Sequence, residues 1–277
     1  MINIFNYIDR PSPIHRLTGA TKLVCLLLWS LASMITYDTR ILAAMPIISI
    51  GLFAISKIHI KDVKFMLWVT VVFMVLNNVM VFVFSPQHGV EIYGSQTILF
   101  TIAGPYVVTA EQLFYHLNLF LKYLAAIPML LLFVCTTNPS EFAASMNRIG
   151  VSYKISYAVA LALRYIPDIQ REYHDISQSQ QARGIEMSKK ESLVKRLKSA
   201  SAILIPLILS SMDRIETISN AMELRSFGKG KKRTWYRAKP FRAADIVSMV
   251  LCALLLALAI VSTALMGTRF YNPFLGA

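Results

Sequence analysis

The sequence predicts an all-α integral membrane protein with about five transmembrane helices and a long polar region between the fourth and fifth. Three observations predict it. Of 277 residues, 56% are hydrophobic and only 16% charged, too apolar a balance for a soluble domain of this length. The apolar residues are gathered into five runs, at about 23–37, 41–56, 65–84, 113–135 and 246–266. The excess of 28 Lys and Arg over 15 Asp and Glu avoids those runs and collects between them, as the positive-inside bias of cytoplasmic loops produces.

The opening stretch, residues 1 to 21, is polar and carries Pro11 and Pro13. It lacks the apolar core of a cleavable signal, so the N-terminus is expected to stay, held in the cytoplasm by Arg10, Arg16 and Lys22. The first two runs are short for spanning and read as a tight helical pair around Asp38, Thr39 and Arg40. The third run is followed by residues 85–112, which contain no Lys or Arg. That segment is expected outside, its β-branched stretches forming a small hairpin or lying re-entrant. The fourth run carries His116, Asn118 and Lys122, and the third carries Asn77 and Asn78. These polar groups could line an ion path, but joining helices by hydrogen bonds, or sitting near the headgroups, is the more economical expectation. Pro128 is a place for a kink in the fourth run.

Between residues 136 and 245 lie about two thirds of all the basic residues, along with apolar pieces too short to span, such as "ISYAVALAL" and "AILIPLIL". They read as amphipathic or half-buried helices at the cytoplasmic face. After Pro167, the residues Ile169, Tyr173 and Ile176 form a stripe at spacings of four and three, and the same steps lead on to Gln180 and Arg183. After Pro206, a second stripe runs through Met212, Ile215, Ile218 and Met222 to Arg225. Each arginine follows an isoleucine by seven residues, about 20° off its direction and two turns further along. Gly184 and Gly228 offer left-handed helix stops. Each helix would then end in a cation beside the negative pole of its dipole. Composition and spacing leave two readings open: a pair of tips that dock into a soluble partner, where a guanidinium satisfies carbonyls or a carboxylate, or solvated arginines at ordinary helix ends.

These stretches resemble the transmembrane T component of energy-coupling factor (ECF) transporters, the EcfT/CbiQ-like family. "SPIHRLTGATKL" at 12–23 is similar to the family's opening, and "TTNPSEFAASMNRIG" at 136–150 to the segment after its fourth span. "ALRYIPDIQREYHDISQSQQARGIE" and "IPLILSSMDRIETISNAMELRSFG" resemble its two coupling-helix regions. Ala182, Arg183 and Gly184 match the family's short arginine motif closely, whereas Leu224, Arg225 and Ser226 depart from its small-Arg-Gly pattern. The resemblance implies long cytoplasmic coupling helices that dock, through one arginine each, onto two ABC ATPase subunits. It implies that the same helices cradle a separate substrate-binding S component, for uptake of a vitamin or a metal ion across a bacterial or archaeal cell membrane. Ile169, Tyr173, Ile176, Met212 and Ile215 are expected either in that cradle or in the crossing of the two helices.

The expected organisation is a membrane region of four hydrophobic helices at 1–135, a coupling region at 136–245, and a last span with its tail at 246–277. The chain is expected to be non-catalytic. "GIEMSKKES" lacks the second glycine of a phosphate-binding loop and "GKGKKRT" lacks its spacing, so ATP and magnesium are expected on the partner ATPases, with no cofactor or metal held here. The scattered His15, His59, His88, His116 and His174 give no metal-ligand spacing. Cys25, Cys135 and Cys252 lie in or at the ends of apolar runs without CxxC pairing, as small packing residues do. Nucleic acid is not an expected partner; the lipid bilayer is, with "GKGKKRTWYRAKPFR", including Trp235 and Tyr236, as a headgroup anchor before the last span. The competing assignment is a conventional ABC importer permease with its own translocation path. "EFAASMNRIG" superficially resembles the cytoplasmic loop of such permeases, but its glycine spacing is wrong and a second arginine helix would be unexplained. An intramembrane enzyme lacks a catalytic constellation, and an ion-driven carrier has no need of two docking tips.

Overall fold

A computed structural model describes residues 10–103, 106–185, 193–230, 234–235, 239–265 and 269–274; Tyr236 and the end of the C-terminal tail lie outside the described residues. The order of elements is α1 (Pro13–Arg16), α2 (Gly19–Ile35), α3 (Thr39–Ile55), α4 (Ile60–Phe84), α5 (His88–Tyr93), β1 (Ile98–Ala103), β2 (Tyr106–Thr109), α6 (Ala110–Thr136), α7 (Pro139–Arg148), α8 (Tyr153–Ala182), α9 (Leu193–Leu224) and α10 (Ala243–Leu265). The all-α membrane class expected from the sequence is therefore what forms. Helices α4, α6 and α10, of 25, 27 and 23 residues, are long and apolar enough to cross a bilayer. Helices α2 and α3 are apolar but only 17 residues each, about 25 Å long at the α-helical rise.

The chain divides into two compact units: one made of Met1–Glu141 with Lys239–Ala277, the other of Phe142–Ala238. In the first, α2 packs on α10 and α3 on α6 around Cys25, Trp29, Ala32, Ile41, Met45, Ala125, Met129 and Ala259. The alanines let the helices approach closely, as membrane bundles require. Polar side chains pin the helix ends. The wholly buried Asp245 accepts hydrogen bonds from the Thr18 amide, the Thr21 hydroxyl and the Arg242 amide, each at 2.8 Å. One carboxylate thereby satisfies free N–H groups at the starts of both α2 and α10. Lys22 donates to the Thr136 carbonyl at 2.8 Å and Trp29 to the Ala125 carbonyl at 3.0 Å. Lys239 pairs with Glu141 at 3.3 Å, so the two residues bounding the second unit are tied to each other.

Asn78, His116 and Asn118 join helices. His116 Nδ1 and Asn78 Oδ1 are 3.0 Å apart, and Asn118 accepts from the Thr39 hydroxyl at 2.8 Å while donating to the Tyr93 hydroxyl. The Lys122 ammonium lies 3.2 Å from the centre of the Tyr37 ring, a cation over an aromatic face. The segment between α4 and α6 folds as α5 and the antiparallel β1–β2 hairpin. At Gly89 a Cβ atom would stand 2.6 Å from the Gln112 Cα, so only glycine lets α5 sit this close to α6.

In the second unit α8 and α9 run antiparallel along most of their length. Tyr153 at the start of α8 stacks edge-on against Phe227, just beyond the end of α9, at 5.6 Å. Midway, Glu172 takes an ion pair from Arg214 at 2.8 Å and a hydrogen bond from the Ser210 hydroxyl. Near the far end Gln180 donates to the Ala202 carbonyl at 3.2 Å. Ile203 and Leu207 are buried on α9, and Ser177 on α8.

Candidate partner site at two helix ends

Helix α8 stops at Ala182. The Ile185 amide donates back to the Gln180 carbonyl at 3.0 Å and the Gly184 amide to Gln181 at 2.9 Å, with Gly184 left-handed at φ +85°. This pair of nested bonds is the Schellman motif, which satisfies orphan carbonyls at a helix C-terminus and needs a left-handed residue after the cap. Arg183 is the cap residue itself. It is exposed, as are Ala182 and Gly184.

Helix α9 stops at Leu224 in the same way. The Phe227 amide donates to the Met222 carbonyl at 2.9 Å and the Ser226 amide to Glu223 at 2.8 Å, with Ser226 left-handed at φ +52°. Arg225 therefore holds the position in α9 that Arg183 holds in α8. The sequence pointed to Gly228 as the second stop. Gly228 does have a positive φ, +90°, but it lies two residues beyond the turn that ends the helix. Ser226 takes the left-handed conformation instead, at a cost of roughly 1 kcal/mol for a residue with a Cβ. What holds it there is Phe227, whose ring packs on Tyr153 and, at 4.6 Å, on Tyr157; Trp235 follows at 6.5 Å from Tyr157 and donates to Asn147 at 3.1 Å. The departure from a glycine at the motif's third position changes the residue and leaves the backbone turn intact.

Because the helices are antiparallel, their C-terminal caps lie at opposite ends of the pair. The 30 residues of α8 correspond to about 45 Å of helix. Arg183 and Arg225 consequently cap opposite ends of the pair, too far apart to enter one pocket. A planar guanidinium at a helix tip can engage carbonyls or a carboxylate in two directions at once. Leu224, beside Arg225, is 88% exposed.

The CbiQ family, described as cobalt transport proteins, matches residues 10–236 of this chain. The chain belongs to this family. Among the relatives of this chain, the energy-coupling factor transporter transmembrane protein EcfT of Bacillus subtilis is 26% identical over 268 residues, covering 91% of this chain and 96% of its own length. The EcfT protein of Heliobacterium modesticaldum is 28% identical over 248 residues, with coverage of 85% and 88%. That of Bacillus selenitireducens is 28% identical over 278 residues, with coverage of 96% and 98%.

The stripe residues do not share one environment. Ile169 and Tyr173 on α8 are 40% and 42% exposed, Met212 and Ile215 on α9 are 59% and 62% exposed, and Ile176 is half-buried. Between α8 and α9, Glu172 meets Ser210 and Arg214, and Gln180 meets the Ala202 carbonyl. The aromatic brace of Tyr153, Tyr157 and Phe227 was missed in sequence. Its one local signal is an apolar residue two places after each cap, Ile185 and Phe227, where the Schellman motif carries a hydrophobic contact.

Proposed function

We propose that this chain is the transmembrane T component of an ECF transporter, a non-catalytic coupling subunit of the membrane. Arg183 and Arg225 each dock one ABC ATPase subunit, with Ala182, Gly184, Leu224 and Ser226 shaping the two tips. The observation that carries this reading is the pair of matched arginine caps at opposite ends of one antiparallel helix pair, in a chain of the CbiQ family whose relatives are named as ECF transmembrane proteins. A duplicated docking geometry calls for duplicated partners.

The exposed side chains Ile169, Tyr173, Met212 and Ile215 form the surface for the S component, with Ile176 at its margin. Mean exposure near one half leaves these residues short of an apolar partner. ATP and magnesium act on the ATPases. When those subunits close on nucleotide, the separation or angle of their two docking grooves changes, and each groove carries one tip. The α8–α9 pair must then shift at its crossing, and the apolar surface bearing the S component shifts with it. ATPase closure and S-component orientation thereby share one free-energy balance, and coupling is reciprocal. The N-terminus and the α8–α9 pair face the cytoplasm, where ATP is available. The transported molecule, a vitamin or a metal ion, is chosen by the S component.

Affinity purification of the chain from native membranes in mild detergent, with mass spectrometry of what accompanies it, tests this reading. Two ABC ATPase chains together with small membrane proteins are expected. Recovery without any ATPase, in detergent that preserves a known ABC complex, would contradict it.

A further inference from the structure

The β1–β2 hairpin has no role in ATPase docking, yet its outer strand is strongly apolar. Ile98, Leu99 and Phe100 are 56%, 54% and 57% exposed in succession, while β2 turns the buried Val107 and Val108 toward the protein. The register shift between Ile98 and Phe100 places Leu99 as an extra residue on β1, so three large apolar side chains stand on one short edge strand. In water such an edge would be an aggregation site.

The hairpin is also fixed in height. The Glu111 carboxylate, wholly buried at the start of α6, accepts from the Thr97 amide and the Ser95 hydroxyl at 3.0 Å and the Thr97 hydroxyl at 2.9 Å, fastening the foot of β1. At the other end the Tyr106 hydroxyl donates to the Val83 carbonyl at 3.4 Å and its ring lies 6.2 Å from that of Phe82. The hairpin therefore stands level with the last turn of α4. That helix is a span whose most apolar window has 0% of its residues buried, and Phe84 at its end is 75% exposed. Residues 85–112 contain no Lys or Arg that would hold the segment in water.

From this continuity with a lipid-facing helix end, we propose that the Ile98–Phe100 edge is a membrane anchor inserted into the bilayer interface beside the end of α4. Tyr106, Phe82, Phe84 and Phe100 then form an aromatic belt at that interface. The anchor fixes the depth and tilt of α4 and α6 without a charged headgroup contact, so it takes zwitterionic and anionic lipids alike.

The test is tryptophan quenching in proteoliposomes of phosphatidylcholine brominated on its acyl chains, with iodide as the aqueous quencher. Phe100→Trp is compared with the parent chain by difference, and Phe84→Trp serves as the lipid-facing reference. Leu99→Trp replaces Phe100→Trp if the latter does not fold. The expected result is a loss of the added emission by bromolipid similar to that at Phe84→Trp, with little loss to iodide, both for the chain alone and in the assembled transporter. Quenching by iodide and not by bromolipid would place the hairpin in water and overturn the proposal. Protection from both quenchers in the assembled transporter, with iodide quenching in the chain alone, would show a protein partner on this edge and would equally overturn it.

Discussion

The two arginine tips reach one backbone geometry by different routes. At the end of α8 the turn is local: Gly184 adopts φ +85° at no steric cost, and the next residue, Ile185, is only half-buried. At the end of α9 the turn is imposed: Ser226 is held at φ +52° by an aromatic brace that joins Phe227 to Tyr153 and Tyr157 near the start of the neighbouring helix. The cap geometry and the arginine that it presents are common to both, and the residue after the arginine is free to vary where tertiary packing fixes the conformation. Reading the motif as a string of residue types would have separated two sites that the backbone makes equivalent.

If the equivalence is functional, the largest effects come from the arginines. Arg183→Ala together with Arg225→Ala removes both charge-assisted contacts. At roughly 2–5 kcal/mol each, the expected loss of ATPase affinity is about a thousandfold or more, measured by titrating purified ATPase onto the chain in nanodiscs. Arg183→Lys and Arg225→Lys keep the charge and lose the planar fork. Each is expected to weaken binding about tenfold, and by a similar factor at the two tips if their contacts are alike. Phe227→Ala breaks the symmetry. It is expected to loosen only the second cap, by about 1–2 kcal/mol, visible as faster hydrogen exchange at the Ser226 and Phe227 amides with the Gly184 and Ile185 amides unchanged. The smallest effects are opposite in sign. Gly184→Ala is expected to destabilise the first cap by about 1 kcal/mol, whereas Ser226→Gly stabilises the second by up to about the same amount, a severalfold change in amide exchange at each cap.

Much of this was legible in the sequence because it rests on local rules. The long spans follow from apolar runs of sufficient length, and both arginines could be placed at helix ends from the stripes that lead to them. The hairpin between α4 and α6 was one of two expected forms, set by β-branched stretches broken by glycine. What could not be read depends on contacts between distant residues. Nothing local says that Glu172 will meet Arg214, 42 positions away, and so that the helices run antiparallel with their arginines at opposite ends. Gly228 looked like the stop because glycine is the residue that most easily turns left-handed; Ser226 prevails because Phe227 has a ring-lined seat that only the folded unit provides. Nothing local marks Asp245 as a cap for both α2 and α10, because that task depends on Thr18 and Thr21, more than 220 positions earlier.

The most direct measurement is the amount of ATPase that copurifies with the wild-type chain, with Arg183→Ala, with Arg225→Ala and with the double variant, all normalised to chain inserted in the membrane. The account predicts a partial loss of similar size from either single substitution and complete loss from both. Normal ATPase recovery with the double variant would contradict it, and would leave the two caps as solvated ends of ordinary helices.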